Sequence, residues 1–330
     1  MKVAVLGCGT MGMTHIENFD KMSSVELVAI FDTNELLANQ VAEQYLTTAY
    51  TSFEDMMKEK KPDVVSICLP TNFHKEYVLK IADKGSHVIC EKPIAPSMED
   101  AIEMVKYCED KGVRLFIGHV VRFFPNYVDI AKKVKAGLIG DVGVIHTKRV
   151  GSNPAQARSW YKDSSGGVIL DLMIHDIDFL CGLMNEVTSV YALNKVEQGH
   201  DYALVTLRFG NGAIANLEAY WGYPGPFTTA VEIAGTEGVI RYNSNESISI
   251  KIMKALDTLN DQANTVAVPQ SPALHNPYYY ELKHFIECIE NNEDPIISVQ
   301  DALMAVNVSL AAKKSAETGL PIKIDPIIQL

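Results

Sequence analysis

Residues 1–12 read Met1-Lys2-Val3-Ala4-Val5-Leu6-Gly7-Cys8-Gly9-Thr10-Met11-Gly12. The apolar run stops at a G-x-G-x-x-G turn, and an amphipathic segment begins at about Met11. A strand that feeds a glycine turn and then a helix is the context in which this spacing carries meaning. Gly7 permits the tight turn, Gly9 lets backbone approach a pyrophosphate, and Gly12 allows the helix to pack close to the strand. The next apolar run, VELVAIF, closes on Asp32, about twenty residues beyond Gly12, where a carboxylate can grip the adenosine ribose hydroxyls. Asp32 also reads as the N-cap of the following segment. A 2′-phosphate against this carboxylate would meet like charge, and no Lys or Arg follows in Asp32-Thr33-Asn34 to receive it. The turn therefore favours NAD over NADP.

The β-α alternation continues through DVVSICLP, HVICEKP and VRLFIG, with helical segments at Glu35 to Gln44, Tyr77 to Lys84 and Ala101 to Lys111. Runs such as VVSICL are apolar on both sides, as in a strand covered by helices on both faces. This predicts a Rossmann domain, a doubly wound parallel sheet, over residues 1–122. After Arg122 the rhythm changes to longer β-like stretches: VGVIHTKRV, VTSVYALNKV, YALVTLRF, AIANLEAYWG, TAVEIAG and GVIRY. Gly and Asn in FGNGA and GTEGV suit short connections between them. Residues 123–330 thus read as an α+β domain with a large, open, mostly antiparallel sheet. Two helices close it, near Tyr278 to Glu290 and Val299 to Thr318, the second stopped by Gly319-Leu320-Pro321.

The length of 330 residues suits two domains, and 47% hydrophobic with 21% charged residues suits folded ones. A net charge of −12 without a basic block excludes the electrostatic footprint of a nucleic-acid or anionic-membrane binder. No apolar run approaches the ~20 residues that span a bilayer. With the glycine turn starting so early, no secretory signal is expected. The six cysteines are scattered without C-x-x-C spacing, which points to a reduced, cytoplasmic protein without a structural zinc or disulfide set.

Two further segments carry chemistry. In GGVILDLMIHDIDFLCGLM a helical reading lines Asp171, His175 and Asp178 on one face, with Ile169, Leu172, Met173, Ile177 and Leu180 on the others. Asp171 beside His175 would favour its protonated form and fix its orientation, as suits a proton-accepting imidazole. The alternative is a core histidine satisfied by a helix neighbour. Glu91-Lys92-Pro93 follows a strand at the carboxyl end of the sheet, where such folds bind ligands, and the Lys92 ammonium there could polarise an alcohol or carbonyl oxygen. Lys92 otherwise reads as a solvated loop residue. A metal is the competing use of Asp171, His175 and Asp178. No H-E-x-x-H, cysteine cluster or second histidine at ligand spacing accompanies them, so none is expected.

Together the glycine turn, Leu69-Pro70-Thr71-Asn72-x-His74, Glu91-Lys92-Pro93 and Gly166-Gly167-x-x-x-Asp171-x-x-x-His175-Asp176 resemble the Gfo/Idh/MocA family, which includes glucose-fructose oxidoreductases and inositol dehydrogenases. The likeness spans nearly the whole chain. It implies an active site between the domains, with Lys92, Asp171 and His175 as the catalytic group. It also implies an open sheet that mediates a homodimer or homotetramer. Cofactor contacts would come from Gly7, Gly9, Thr10, Met11, Gly12 and Asp32, with Pro70, Thr71, Asn72, His74, Glu91 and Lys92 toward the nicotinamide. A polyol or sugar substrate would meet Lys92, Asp171, His175, Arg122, Asn126, Arg158 and Trp160, with Tyr161 nearby. Trp221 and Tyr278-Tyr279-Tyr280 read better as core or subunit interface. The activity implied is oxidation of a secondary alcohol of a cyclitol, sugar or sugar derivative, as in an inositol 2-dehydrogenase. Its rivals are a sugar oxidation that recycles NAD in place to enable elimination or glycosidic cleavage, and a noncatalytic NAD-bound sensor or scaffold.

Overall fold

The computed structural model describes residues 1–153, 165–184, 186–246, 250–254 and 274–325. The first half alternates β1 (Lys2–Leu6), α1 (Thr10–Asp20), β2 (Glu26–Phe31), α2 (Glu35–Gln44), β3 (Ala49–Tyr50), α3 (Phe53–Lys60), β4 (Val64–Ile67), α4 (His74–Asp83), β5 (His87–Glu91), α5 (Met98–Asp110) and β6 (Leu115–Gly118). The strands pair in the order β3-β2-β1-β4-β5-β6, and every pairing is parallel. The order reverses between β1 and β4, which opens the crevice at their carboxyl ends where such sheets take ligands. β4 is buried at all four positions, Val64, Val65 and Ile67 as apolar side chains and Ser66 with its hydroxyl bonded to His15. β3 has only two residues, too short a run for hydrophobic periodicity to reveal.

A 3₁₀ turn (Val120–Phe123) and α6 (Pro125–Lys135) lead into the second sheet. Its strands are β7 (Val142–Gly151), β8 (Val187–Glu197), β9 (His200–Phe209), β10 (Ile214–Trp221), β11 (Thr228–Gly235), β12 (Gly238–Asn243), β13 (Ile250–Lys254) and β14 (Ile322–Lys323). They pair in the order β13-β12-β11-β7-β10-β9-β8-β14, and only β7 with β10 is parallel. β9 alternates cleanly: Ala203, Val205, Leu207 and Phe209 are buried. Against that inner face lies a π-helical turn (Ile169–Met173) running into α7 (Ile174–Met184), with Ile169, Leu172, Met173, Ile177 and Leu180 in the shared core.

The last two helices tie the halves together. α8 (Pro277–Asn291) sends Leu282, Phe285, Ile286 and Cys288 into the core on one face of the first sheet, and α9 (Val299–Thr318) sends Ala302, Leu303 and Val306 into the core on the other. β6 is followed by no crossover helix of its own, so these returning helices cover its two faces; Phe285 stacks on Phe116 with ring centroids 5.0 Å apart. α9 opens with a capping box between Ser298 and Asp301 and stops at the left-handed Gly319, as its sequence dictates. No helix among the described residues is long and apolar enough to cross a membrane.

Phe285 is fully buried, so Phe285→Ala is expected to lower the unfolding free energy by about 3–5 kcal/mol. Denaturant titration checks this; a loss below about 1 kcal/mol would mean that α8 is no part of the first sheet's core.

Candidate active site

The glycine turn is fixed by contact. Gly7 has φ +93°, and a Cβ on it would lie 2.7 Å from the Cys68 carbonyl oxygen; one on Gly12 would lie 1.8 Å from the Gly7 carbonyl oxygen. Gly9 differs, because nothing stands within 4 Å of its Cβ position. It is the N-cap of α1 and no side chain caps that helix, whereas Asn34 caps α2 and Ser52 caps α3. A helix start without a side-chain cap, beside open space at Gly9, fits a pyrophosphate. Asp32 accepts from the backbone N–H of Cys8 at 2.8 Å through Oδ2 and of Asn34 at 2.8 Å through Oδ1. Its carboxylate is thereby fixed at the rim of the turn. The cap of α2 is Asn34, so that alternative reading of Asp32 falls. Thr10 is exposed and Met11 half-buried at the start of α1. These features fit a dinucleotide.

Behind the carboxyl ends of β4 and β5 lies a buried polar brace. The His15 imidazole bridges Ser66 Oγ at 2.7 Å and Glu91 Oε1 at 3.0 Å, and Glu91 Oε2 accepts from the Lys92 backbone N–H at 3.2 Å. Burial opposes charge on His15, yet Cys68 and then Glu91 outweigh it and hold the imidazole well above its usual pKa. Burial likewise works against the Glu91 carboxylate, but His15 and Lys92 keep it below the usual range. Glu91 therefore braces the loop from behind, through His15 on one oxygen and the Lys92 backbone on the other. His74 is 1% exposed, with Nδ1 2.9 Å from the Pro93 carbonyl and Nε2 2.9 Å from the Leu69 carbonyl. It ties the loop after β4 to the loop after β5. Pro70, Thr71 and Asn72 lie on the front of that tie, with Asn72 exposed.

Lys92 crosses to the second half of the chain. Its Nζ donates to the Asp171 carbonyl oxygen at 2.6 Å and to Asp171 Oδ1 at 3.0 Å, while Asp171 Oδ2 accepts from Trp221 Nε1 at 3.1 Å. Trp221, weighed above as core or interface, is thus a neighbour of this group. No local spacing links position 221 to 171; the pairing of β10 with β9 sets Trp221 opposite Asp201, and Asp201 Oδ2 caps the helix start at the Val168 N–H at 2.8 Å. Gly166 and Gly167 enter that helix with φ +74° and +83°, a region that favours glycine. Asp171 lies within the π turn, a widened winding often found at functional sites.

His175 follows in the first turn of α7. Its Nδ1 is buried with no hydrogen-bond partner among the described residues, and burial, then Lys92, Arg149 and His119, hold its pKa well below the usual 6.5. The expected pairing is therefore corrected: Asp171 is bonded to Lys92 and Trp221, and the imidazole is kept neutral by burial and cationic neighbours. Asp178, the third member of the expected stripe, is already paired. It is fully buried and receives Arg122 Nε at 2.8 Å and Nη2 at 2.7 Å. Arg122 Nη2 also reaches Asp301 Oδ1 at 3.2 Å. A guanidinium held this way locks the 3₁₀ turn to α7 and α9. Asp176 makes a second buried pair, with Arg149 at 2.8 and 2.9 Å. Asn126 is half-buried near the start of α6, and among the described residues no hydrogen bond joins it to the Lys92 group. Arg158, Trp160 and Tyr161 lie outside the described residues.

Comparison with known proteins assigns both halves of the chain to one family. Residues 1–119 match the family described as oxidoreductase family, NAD-binding Rossmann fold, and residues 131–324 match its C-terminal alpha/beta domain. The chain is 30% identical to a myo-inositol 2-dehydrogenase of Thermotoga maritima, covering 99% of this chain and 100% of the relative. It is 32% identical to a 2,7-anhydro-N-acetylneuraminate hydratase of Escherichia coli over 74% of this chain and 68% of the relative. The crystal structure of a probable dehydrogenase from Thermotoga maritima superposes with a TM-score of 0.84 at 27% identity, covering 98% of this chain and 99% of that one.

The Gly12 contact yields a direct test. NAD⁺ at about 100 times its dissociation constant should stabilise the native chain by about 2.7 kcal/mol. Gly12→Ala should abolish that gain in a thermal-shift measurement, and a retained gain would mean that the dinucleotide binds elsewhere.

Proposed function

Because the chain belongs to the Gfo/Idh/MocA oxidoreductase family, we propose that it oxidises a secondary alcohol of a cyclitol, sugar or sugar derivative with NAD⁺, in the manner of an inositol 2-dehydrogenase. The observation that carries this reading is the meeting of Lys92 with Asp171 one helical turn from a neutral His175. In this reading residues 1–122 hold the nucleotide through Gly7, Gly9, Thr10, Met11, Gly12 and Asp32, with Pro70, Thr71 and Asn72 toward the nicotinamide. Residues 123–330 supply most of the substrate surface, Asn126, Arg158 and Trp160 included. Bound NAD⁺ supplies the hydride acceptor. Lys92 has spent two of its ammonium protons on Asp171 and presents the third to the alcohol oxygen. Asp171, steadied by Trp221, holds the ammonium in place. His175 removes the hydroxyl proton; the imidazole is neutral and so ready to accept it.

The 2-dehydrogenase-like reading sets a polyol ring against this group, and the fixed Asp32 carboxylate supports NAD over NADP. The hydratase relative favours a second reading, in which oxidation serves an elimination and NAD is recycled in place. Product formation without net NADH distinguishes it. The noncatalytic reading loses support from an intact Lys92, Asp171 and His175 group. We place the protein in the cytoplasm as a homodimer or homotetramer. The outer face of the second sheet supports assembly: it exposes Leu193, Leu204 and Ile214, and Leu204 lines a groove of about 500 Å³ edged by Lys148, Glu218, Glu232 and Arg241.

Three outcomes are expected in a panel of cyclitols, aldoses and sugar acids read by NADH absorbance. His175→Ala should lower kcat by about 10²–10⁴, whereas near-normal turnover would remove His175 from the mechanism. The depressed His175 pKa keeps the base available below the usual range, so kcat/KM should hold through pH 6.5 and fall only at lower pH; an acid limb centred at 6.5 or above contradicts this. Asp32→Ser should narrow the preference for NAD⁺ over NADP⁺, and unchanged discrimination would mean that another residue reads the ribose.

A further inference from the structure

The site holds a second imidazole that the mechanism above leaves unused. His119 follows β6 at the carboxyl end of the first sheet, on the same side as Lys92, and is 1% exposed. Among the described residues neither of its ring nitrogens has a hydrogen-bond partner. Nδ1 lies 4.0 Å from Asp178 Oδ2, and Asp178 stands three residues after His175 on α7, a spacing that makes the two helix neighbours. His175 Nδ1 is likewise buried and unpartnered. Protein interiors leave few buried nitrogens unpaired. Three of them on two rings beside the same stretch of α7 are more than packing alone explains, and such a place has the polar partners to hold a bridging water.

Chemistry supplies a use for them. Oxidation of an alcohol by NAD⁺ yields a ketone, NADH and one proton. If His175 takes that proton at Nε2, it becomes a cation close to the Lys92 ammonium and the Arg149 guanidinium, both of which oppose its charge. The proton on its other nitrogen then has reason to leave.

We propose that His119 is the next station of a proton relay, receiving the Nδ1 proton of His175, directly or across one water, and holding it against the Asp178 carboxylate. This rests on the dehydrogenase reading. The substrate O–H bond breaks as N–H forms at His175 Nε2; the N–H bond at His175 Nδ1 breaks as N–H forms on His119; the hydride goes to the nicotinamide, and the proton passes to solvent when product leaves. The charged and titratable groups around His119 are Asp178, Arg122, Lys92 and Glu91, together with His175. Burial and the two cations keep the resting ring neutral and able to accept, while Asp178 supports the cation once formed. His119 is therefore a positioning and proton-handling residue that does not touch the alcohol itself.

The test is single-turnover NADH formation with the best alcohol of the panel, for wild type, His119→Phe and His119→Gln, in H₂O and D₂O from pH 6.5 to 9. Both variants should be about 10-fold or more slower at pH 6.5, with KM within about 3-fold of wild type and a larger solvent isotope effect. The deficit should narrow as pH rises, because solvent base then takes the proton. A residue that only fills space would not change the isotope effect or the pH dependence. Wild-type rates and isotope effect in both variants, or a deficit independent of pH, would overturn the relay and leave the dehydrogenase reading standing. If His119→Phe fails to fold, His119→Gln, which keeps polar atoms but cannot titrate, decides alone. A wild type that yields NADH with no alcohol would end the dehydrogenase reading, and the relay with it.

Discussion

One contact organises the molecule: the Lys92 ammonium, delivered by the parallel sheet, held by the backbone and carboxylate oxygens of Asp171, delivered by the helix on the second sheet. Each side has its own support. On the first, Ser66, His15 and Glu91 form a buried line that ends at the Lys92 backbone N–H, and His74 ties the adjoining loops. On the second, Asp201 caps the helix start and Trp221 holds the far carboxylate oxygen of Asp171. Supported side chains of this kind keep an ammonium in one place, which is what stabilisation of a developing alkoxide requires.

Buried charge pairs surround that contact, and their role is alignment more than stability. Arg149 with Asp176 and Arg122 with Asp178 each withdraw two charges from water, which offsets much of their attraction. Removing one partner strands the other, at a cost of about 3–5 kcal/mol. Arg122 bonds both Asp178 on α7 and Asp301 on α9, so the pair holds the 3₁₀ turn after β6 against both helices. Burial first, and then the cationic neighbours Lys92, Arg149 and Arg122, leave His175 and His119 neutral within the site.

The sequence made legible whatever is local. The Gly7 to Gly12 turn, the Asp32 position, the parallel and antiparallel halves and the limits of α9 all follow from periodicity and turn chemistry. Long-range geometry was not legible. A helical wheel assumes regular winding, so it could not show a π turn at Asp171, nor that Asp178 would turn to Arg122. Trp221 lies 50 positions from Asp171, and only the strand ladder brings it near. Nothing in the spacing around Arg122 shows that two carboxylates, 56 and 179 positions away, hold its guanidinium. His119 stands alone in an apolar run and gives no sign by spacing; its signal is burial without a partner.

The most direct measurement is the single-turnover rate of NADH formation by Lys92→Met, set beside its NAD⁺ affinity by calorimetry. If the Lys92 ammonium acts on the reacting oxygen, the rate should fall by about 10²–10³ while NAD⁺ binding changes little. A rate within a few-fold of wild type, or a loss explained wholly by weaker NAD⁺ binding, would contradict the account.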